Sequence, residues 1–585
     1  MTTLITPAGE AAVAPPEPAP AKRRPKRREL SIRLALVLCF GFVILGSLYP
    51  TIAVLSTGLS AEALPRYADF FTSSIHLRTL RNTIVLGALV GAVGTAIGFL
   101  FAYVQTRLDV PFKRVLHIIA LIPIVSPPFA VATATIVLYG RSGIISNQLL
   151  GLEYDIYGLD GLVLVLSLSL FPVGYMGLLG MMRALDPAME ESAMIMGASR
   201  WQIFRTIQMP LLAPGLVAPF LLLFVEAIAD LANPLVLGGD YNVLASQAYI
   251  AVNGNYDLPG AAVYSVILLM PAVGLYLVQR YWLSRKVRTT VSGKPSGSVH
   301  LLTGWSRWPI YGVTWLIAAV IVSLYGTVVV GAFVRLFGVN NTLTLDHFRY
   351  VFTRGREALL DTSTLAVIAT PIAGALGMVM AWLIVRHLGR FGGLLDFGGM
   401  LGVAVPGTVL GIGYLLAYRL GLYVGPIEVL PALVGGSTIA GGAVAILLAY
   451  VTRSVPGGLR TANASLSQLD GSIEEASTSL GAKPFQTFRW VTLPLIRPSL
   501  LAGLSYSFAR CMTSVSTIVL LVTPETRIIT SQILSAADSG RYGIAFAYCT
   551  VLIAIVLAVF GLIRLIVGGG ATLQRIADTS GRRKS

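Results

Sequence analysis

The chain has 585 residues, 55% of them hydrophobic and only 12% charged, at a mean hydropathy of +0.77, which excludes a water-soluble globular protein. Its formal net charge of +16 does not point to nucleic acid, because the basic residues gather beside apolar stretches, where positive charge marks the cytoplasmic side of a membrane. Cys39, Cys511 and Cys549 lie inside apolar segments without paired spacing, so neither a disulfide framework nor a zinc site is expected.

Taken in chain order, residues 1–30 are rich in Ala and Pro and end in the basic run KRRPKRR. They hold too few apolar residues to build a core and read as a disordered cytoplasmic tail. The segment that follows is longer than a signal peptide's apolar stretch and lacks a small-residue cleavage site, so it reads as a retained first helix. Windows of the roughly 20 apolar residues needed to cross a bilayer run at 32–54, 81–106, 115–139, 161–183, 211–236 and 260–283, then at 308–336, 363–386, 396–420, 432–453, 496–522 and 543–567. The predicted fold is therefore an all-α polytopic membrane protein of two tandem six-helix halves, about 12 transmembrane helices related by pseudo-two-fold symmetry. The first half covers 31–284 and the second 308–570. A Ser/Gly-rich basic connector at 285–307 joins them, and 571–585 forms a second basic tail. An even helix count places both termini, the connector and Arg107, Lys113 and Arg114 in the cytoplasm. Arg78, Arg81, Arg349, Arg354 and Arg356 then lie outside, against the charge bias, and 339–361 is predicted as an outer loop or amphipathic helix. Both third spans carry breakers, SPPF (Ser126 to Phe129) and VPGTVLGIG (Val405 to Gly413), which require shielding by neighbouring helices or a water-filled cavity.

Ionisable groups at membrane depth usually face a bundle interior or a pathway. In the fifth span Glu226, Asp230 and Asn233 fall at i, i+4 and i+7, one face of a continuous helix. Adding 284 leads to Arg510, Ser514 and Thr517 at the same spacing, so the polar face is kept while an acid becomes a base. These six residues are candidates for a translocation path or gate, either as a structural ion pair and interface hydrogen bonds or as contacts to the solute. The five histidines are scattered without H-E-x-x-H or comparable spacing, and no G-x-x-x-x-G-K-[ST] phosphate loop occurs. Neither a catalytic set nor an ATPase site is therefore expected, and no metal-ligand set stands out.

The strongest signal is a loop present twice, EESAMIMGASRWQIFRTIQMP (Glu190 to Pro210) and EEASTSLGAKPFQTFRWVTLP (Glu474 to Pro494), aligned without a gap at an offset of 284. Each is a polar, helix-compatible stretch with a central glycine and a closing proline, which predicts two short helices bent at the glycine and a shape suited to docking another protein. The loop resembles the cytoplasmic EAA loop of permease subunits in binding-protein-dependent ABC importers. Glu191, Ala193, Gly197, Ile207 and Pro210 fall on that pattern, as do Glu475, Ala476, Gly481, Leu493 and Pro494; Ser192, Ser477, Met209 and Val491 are mild departures. The resemblance implies ATPase coupling through Glu190, Glu191, Ala193, Gly197, Arg205 and Pro210, and through Glu474, Glu475, Ala476, Gly481, Arg489 and Pro494. As members of docking loops, the glutamate pairs are expected to lie in water.

The phrases NPLVLGGDYNVLASQAYIAVNGNYDLPGAA (Asn233 to Ala262) and SFARCMTSVSTIVLLVTPETRIITSQIL (Ser507 to Leu534) further resemble the fused ferric-iron permeases. What that implies is a bacterial inner-membrane, multi-pass permease embedded in lipid, served by two copies of an ABC ATPase that uses the ATP and by an extracytoplasmic solute-binding protein. The chain itself would bind no cofactor. Related permeases carry thiamine, phosphonates, polyamines, sulfate or sugar phosphates, and a duplicated six-helix carrier coupled to ions is the alternative of a different class.

Overall fold

The computed structural model describes residues 30–283, 302–424 and 426–581. The expected basic tail up to residue 29, the connector up to residue 301 and the last four residues lie outside them. Among the described residues, 10 helices are long and apolar enough to cross a membrane, or up to 11 if one sharply bent pair is counted as a span. The fold is all-α and polytopic, as expected, but two of the twelve expected spans differ in kind. The ninth is the bent pair, Gly389–Ala404 and Gly407–Tyr418, turned by 102°, because Pro406 has no amide hydrogen with which to continue the first helix. The eleventh, expected at 496–522, is a helix only over Arg497–Thr513, 17 residues long. The third span is broken as well. Lys113–Leu121 passes through a short turn at Ile122–Val125 into Pro128–Tyr139.

The tenth span also differs, since its helix runs Ala443–Gln468 rather than 432–453. Gly441 and Gly442 hold positive φ just before it, which ends the apolar run as a turn and lets the helix begin late and continue into polar sequence. The segment at 339–361, expected outside, divides. Val334–Leu336 and Asn340–Leu343 form a hairpin, Asp346–Thr353 is the expected amphipathic helix, and Arg356 already opens the eighth span.

Matched contacts at twin positions relate the halves. Gly98 of the second span lies so close to the fourth that an added Cβ would meet the Tyr175 amide nitrogen at 2.9 Å, and its twin Gly377 would meet the Leu459 amide nitrogen at 2.9 Å. Only glycine permits these crossings. Thr83 and Thr362 likewise accept the first amides of the helices Leu244–Asn253 and Ile529–Asp538, from Leu244 and Ile529, at 2.9 Å each. The first span packs on the sixth span of its own half, with Gly58 close against Val266 and Ala262, but also reaches the second half. Tyr414 donates to the Gly46 carbonyl at 2.9 Å, Tyr418 to that of Leu45, and Tyr49 of the first span to that of Ala417 at 3.2 Å. In return the seventh span reaches the first half, where Tyr311 donates to the Pro111 carbonyl at 2.9 Å.

Candidate functional site

Both fifth helices stop at twin residues. The first ends at Ala229, with Asp230 extended at ψ 129°, and the second at Thr513, with Ser514 extended at ψ 127°. The continuous i, i+4, i+7 face is therefore corrected, since Asp230 and Asn233 sit on opposite sides of a chain break. Asp230 stabilises that break by accepting the amides of Ala232 and Asn233 at 3.3 Å each, as well as the Asn233 side-chain amide. This satisfies donors that would otherwise be orphaned at a helix start. The break turns the same side chains inward rather than along one ridge.

They converge on one cavity of roughly 160 Å³ between the halves. All six candidates, Glu226, Asp230, Asn233, Arg510, Ser514 and Thr517, line it. Arg510 donates through Nη2 to both Glu226 carboxylate oxygens, at 3.2 and 3.3 Å, and about a quarter of each side chain remains exposed, 26% and 24%. Thr517 donates to the Gly407 carbonyl at 2.9 Å, which ties the fifth-span twin to the broken ninth span. Ser126, Pro127 and Pro128 of the other broken span form part of the wall, so those prolines shape the cavity rather than merely kinking a helix.

Sequence reasoning missed Arg453. Its Nη1 donates to the Gly402 and Val405 carbonyls at 2.8 and 3.3 Å, satisfying the end of the helix Gly389–Ala404, and the residue lines the cavity. The available signal was a lone arginine at the edge of an apolar window. Its twin Ser169 lines the same cavity, and the Ser169 hydroxyl has no hydrogen-bond partner among the described residues. Two carboxylates and two guanidiniums thus face one small volume, where their charges cancel when all are ionised. Such a chamber offers oxygen donors and fixed charge of both signs to a small polar solute.

The twin loops have the expected bent shape. Helices Pro187–Ile195 and Gly471–Ser479 are capped by Asp186 and Asp470, which accept the amides of Ala188 and Ser472 at 3.0 Å each. The chain turns at Gly197, φ 85°, and Gly481, φ 88°. A Cβ at either would meet nothing within 4 Å among the described residues, so the need for glycine there is one of backbone conformation. The outer surface of each loop is apolar at twin positions. Met196 and Trp201 are 80% and 67% exposed, and Leu480 and Phe485 are 90% and 48% exposed. Arg205, Arg489, Pro210 and Pro494 are exposed too, whereas Ala193 is buried and Ala476 is not.

One expectation fails here. Glu190 is 5% exposed and forms a buried ion pair with Arg107 at 2.8 Å. Glu474 pairs with Arg386 at 2.8 Å, half-buried, and accepts from Thr492 at 2.8 Å. Each arginine closes a neighbouring span, and neither pairing was visible in sequence, where Arg107 read only as a cytoplasmic charge, because the partners are 83 residues apart in the first half. Glu475 lies exposed and Glu191 half-buried.

The family described as binding-protein-dependent transport system inner membrane component matches residues 94–289 and again 373–568, each match containing one bent loop. The chain is 34% identical to the ferric transport system permease protein FbpB of Actinobacillus pleuropneumoniae, over 91% of this chain and 77% of that one. It is 33% identical, over 85% and 78%, to FbpB 1 of Haemophilus influenzae, a permease provisionally assigned to ferric transport. Over a shorter stretch, 32% of this chain and 84% of the relative, it is 27% identical to the molybdenum transport system permease protein ModB of Escherichia coli.

Proposed function

The chain belongs to the binding-protein-dependent transport system inner membrane components, two copies fused in one polypeptide, and from that premise we propose that it carries ferric iron inward, driven by two copies of a separate ATPase. The observation that carries the coupling is the pair of bent loops with apolar residues exposed at twin positions, Met196 and Trp201 beside Leu480 and Phe485. Exposed apolar surface of this kind marks a protein contact, and two equivalent patches suit two equivalent partners. Both loops and both termini lie in the cytoplasm. The ATPase copies hydrolyse the ATP, this chain holds no cofactor of its own, and a loaded solute-binding protein engages the opposite face.

Support for iron comes from relatives named for ferric transport that align along most of the chain. A hard trivalent cation prefers oxygen donors, and the cavity presents the Asp230 carboxylate with the Ser514 hydroxyl. Glu226 and Arg510 close the passage as a charge pair. When ATP draws the loops together, the halves part at the outer side and the cavity admits the cation; hydrolysis reverses the movement, and the pair separates inward. The test is uptake in a strain lacking the chain. Loss of binding-protein-dependent uptake of labelled Fe(III), restored by the intact gene, is expected, whereas normal iron uptake with lost molybdate, thiamine or phosphonate uptake would reassign the substrate.

A further inference from the structure

Each docking loop hangs between the fourth and fifth spans of its half, to which the chain joins it. It is also fastened to a third span that the chain does not join it to. In the first half the fastening is Arg107, last residue of the span Ser74–Arg107, held by Glu190 through Nη1 at 2.9 Å and Nη2 at 2.8 Å. In the second half Arg386, near the end of the span Arg356–His387, meets Glu474 at 2.8 Å. A ring contact accompanies each pair. Tyr103 lies 5.9 Å from Phe204, and Trp382 lies 4.9 Å from Phe488. The four attachment residues of one half are twins of the four in the other, at offsets of 279 within the spans and 284 within the loops. A two-point fastening that recurs after duplication, with the carboxylate turned away from the loop's outer surface, is suited to carrying force.

We propose that Arg107 and Arg386 are positioning residues for coupling: through Glu190 and Glu474 they make the second and eighth spans move with the docking loops, so that three spans per half respond to the ATPase as one body. The first glutamate of each loop is thereby an internal anchor, and contact with the ATPase is left to the apolar surface and the residues beside it. The close crossings at Gly98 and Gly377 carry the movement on from the second and eighth spans to the fourth and tenth, which bear Ser169 and Arg453 in the cavity wall. The two anchors are unequal. The side chains of Arg107 and Glu190 are 3% and 7% exposed, those of Arg386 and Glu474 21% and 18%, and a buried pair is screened less by water than an exposed one.

This inference rests on the importer reading above, and the experiment separates the two. The full complex, with ATPase and binding protein, is reconstituted in lipid vesicles, and ATP turnover is measured against the concentration of loaded binding protein. For Arg107→Gln the maximal stimulated turnover is expected to fall about tenfold, and for Arg386→Gln about threefold, following the difference in burial. The binding-protein concentration giving half-stimulation should not move, because the outer face is untouched, and the ATPase should remain bound in wild-type amount. The exchange Arg107→Glu with Glu190→Arg, which keeps an ion pair, should recover most of the stimulation and guards against a variant that simply fails to assemble. Wild-type stimulation in an assembled Arg107→Gln complex, loss of the ATPase from it, or an exchange no better than the single change would overturn the anchor. A wild-type complex that the binding protein does not stimulate would overturn the importer reading itself.

Discussion

On the docking loops, outward residues have twins of the same kind: Met196 and Leu480, Trp201 and Phe485, Arg205 and Arg489, around two glycines at nearly the same φ, 85° and 88°. In the cavity the twins part company. Glu226 faces Arg510 at 3.2 Å, and Ser169 stands where the other half has Arg453. A surface proposed to meet two copies of one partner must present the same shape twice. A residue beside the pseudo-two-fold axis meets its own twin instead, and two like charges at that separation oppose each other's ionisation. Fusion of the halves removes the obligation to match, so an acid can face a base.

The comparison is sharpened most strongly at the charge pair. Glu226→Ala leaves Arg510 and Arg453 with only Asp230, which is tied to Asn233, as a carboxylate in the same cavity, whereas Arg510→Ala leaves Glu226 facing the remaining arginine. A hydrogen bond to a charged group contributes about 1.5–3 kcal/mol; thermal unfolding should place Glu226→Ala at the upper end and Arg510→Ala below it. The exchange Glu226→Arg with Arg510→Glu should regain part of the loss, and an exchange no better than either single change would remove the pair from the gate.

Next come the loop glycines. Valine at a left-handed position costs about 1–2 kcal/mol, and because a Cβ meets nothing at either site, Gly197→Val and Gly481→Val should lower binding-protein-stimulated ATP turnover to similar degrees. A large inequality would break the view that the loops are equivalent. Truncating the exposed apolar twins follows. Trp201→Ala and Phe485→Ala should each weaken ATPase capture by about 1 kcal/mol or more if they anchor the contact, read as a matched shift in a titration of the ATPase onto the permease. The smallest effect belongs to Ser169→Ala. Its hydroxyl has no hydrogen-bond partner among the described residues, so stability should change by less than about 0.5 kcal/mol, while Arg453→Ala, which strips the Gly402 and Val405 carbonyls of their donor, should destabilise clearly.

The loops were legible because their signal is local: a motif, a glycine and a proline within twenty-one residues, repeated in register. The six cavity residues were legible for a different reason, the cost of polar groups at membrane depth, which holds whether or not the helix is continuous. The breaks at Asp230 and Ser514 were not, because apolar sequence on both sides resembles one long span, and what holds the first break is a cap made by Asp230 to residues beyond it. Arg453 sat at the margin of an apolar window whose true helix starts eleven residues later. Glu190 read as a solvated loop residue because nothing near it in sequence announces Arg107.

The exchange of first spans has a consequence for the order in which the molecule is made. The tyrosine bonds that seat the first span on the ninth join residues 368 positions apart. At a synthesis rate of about 5–20 residues per second, that is roughly 20 to 70 s. Throughout that interval the first span has only its own half to pack against, through contacts such as Gly58 with Val266, and the first half cannot reach its final packing by itself. Maturation is therefore gated by the ninth span, so the duplicated halves, though alike in sequence, are completed together rather than one after the other.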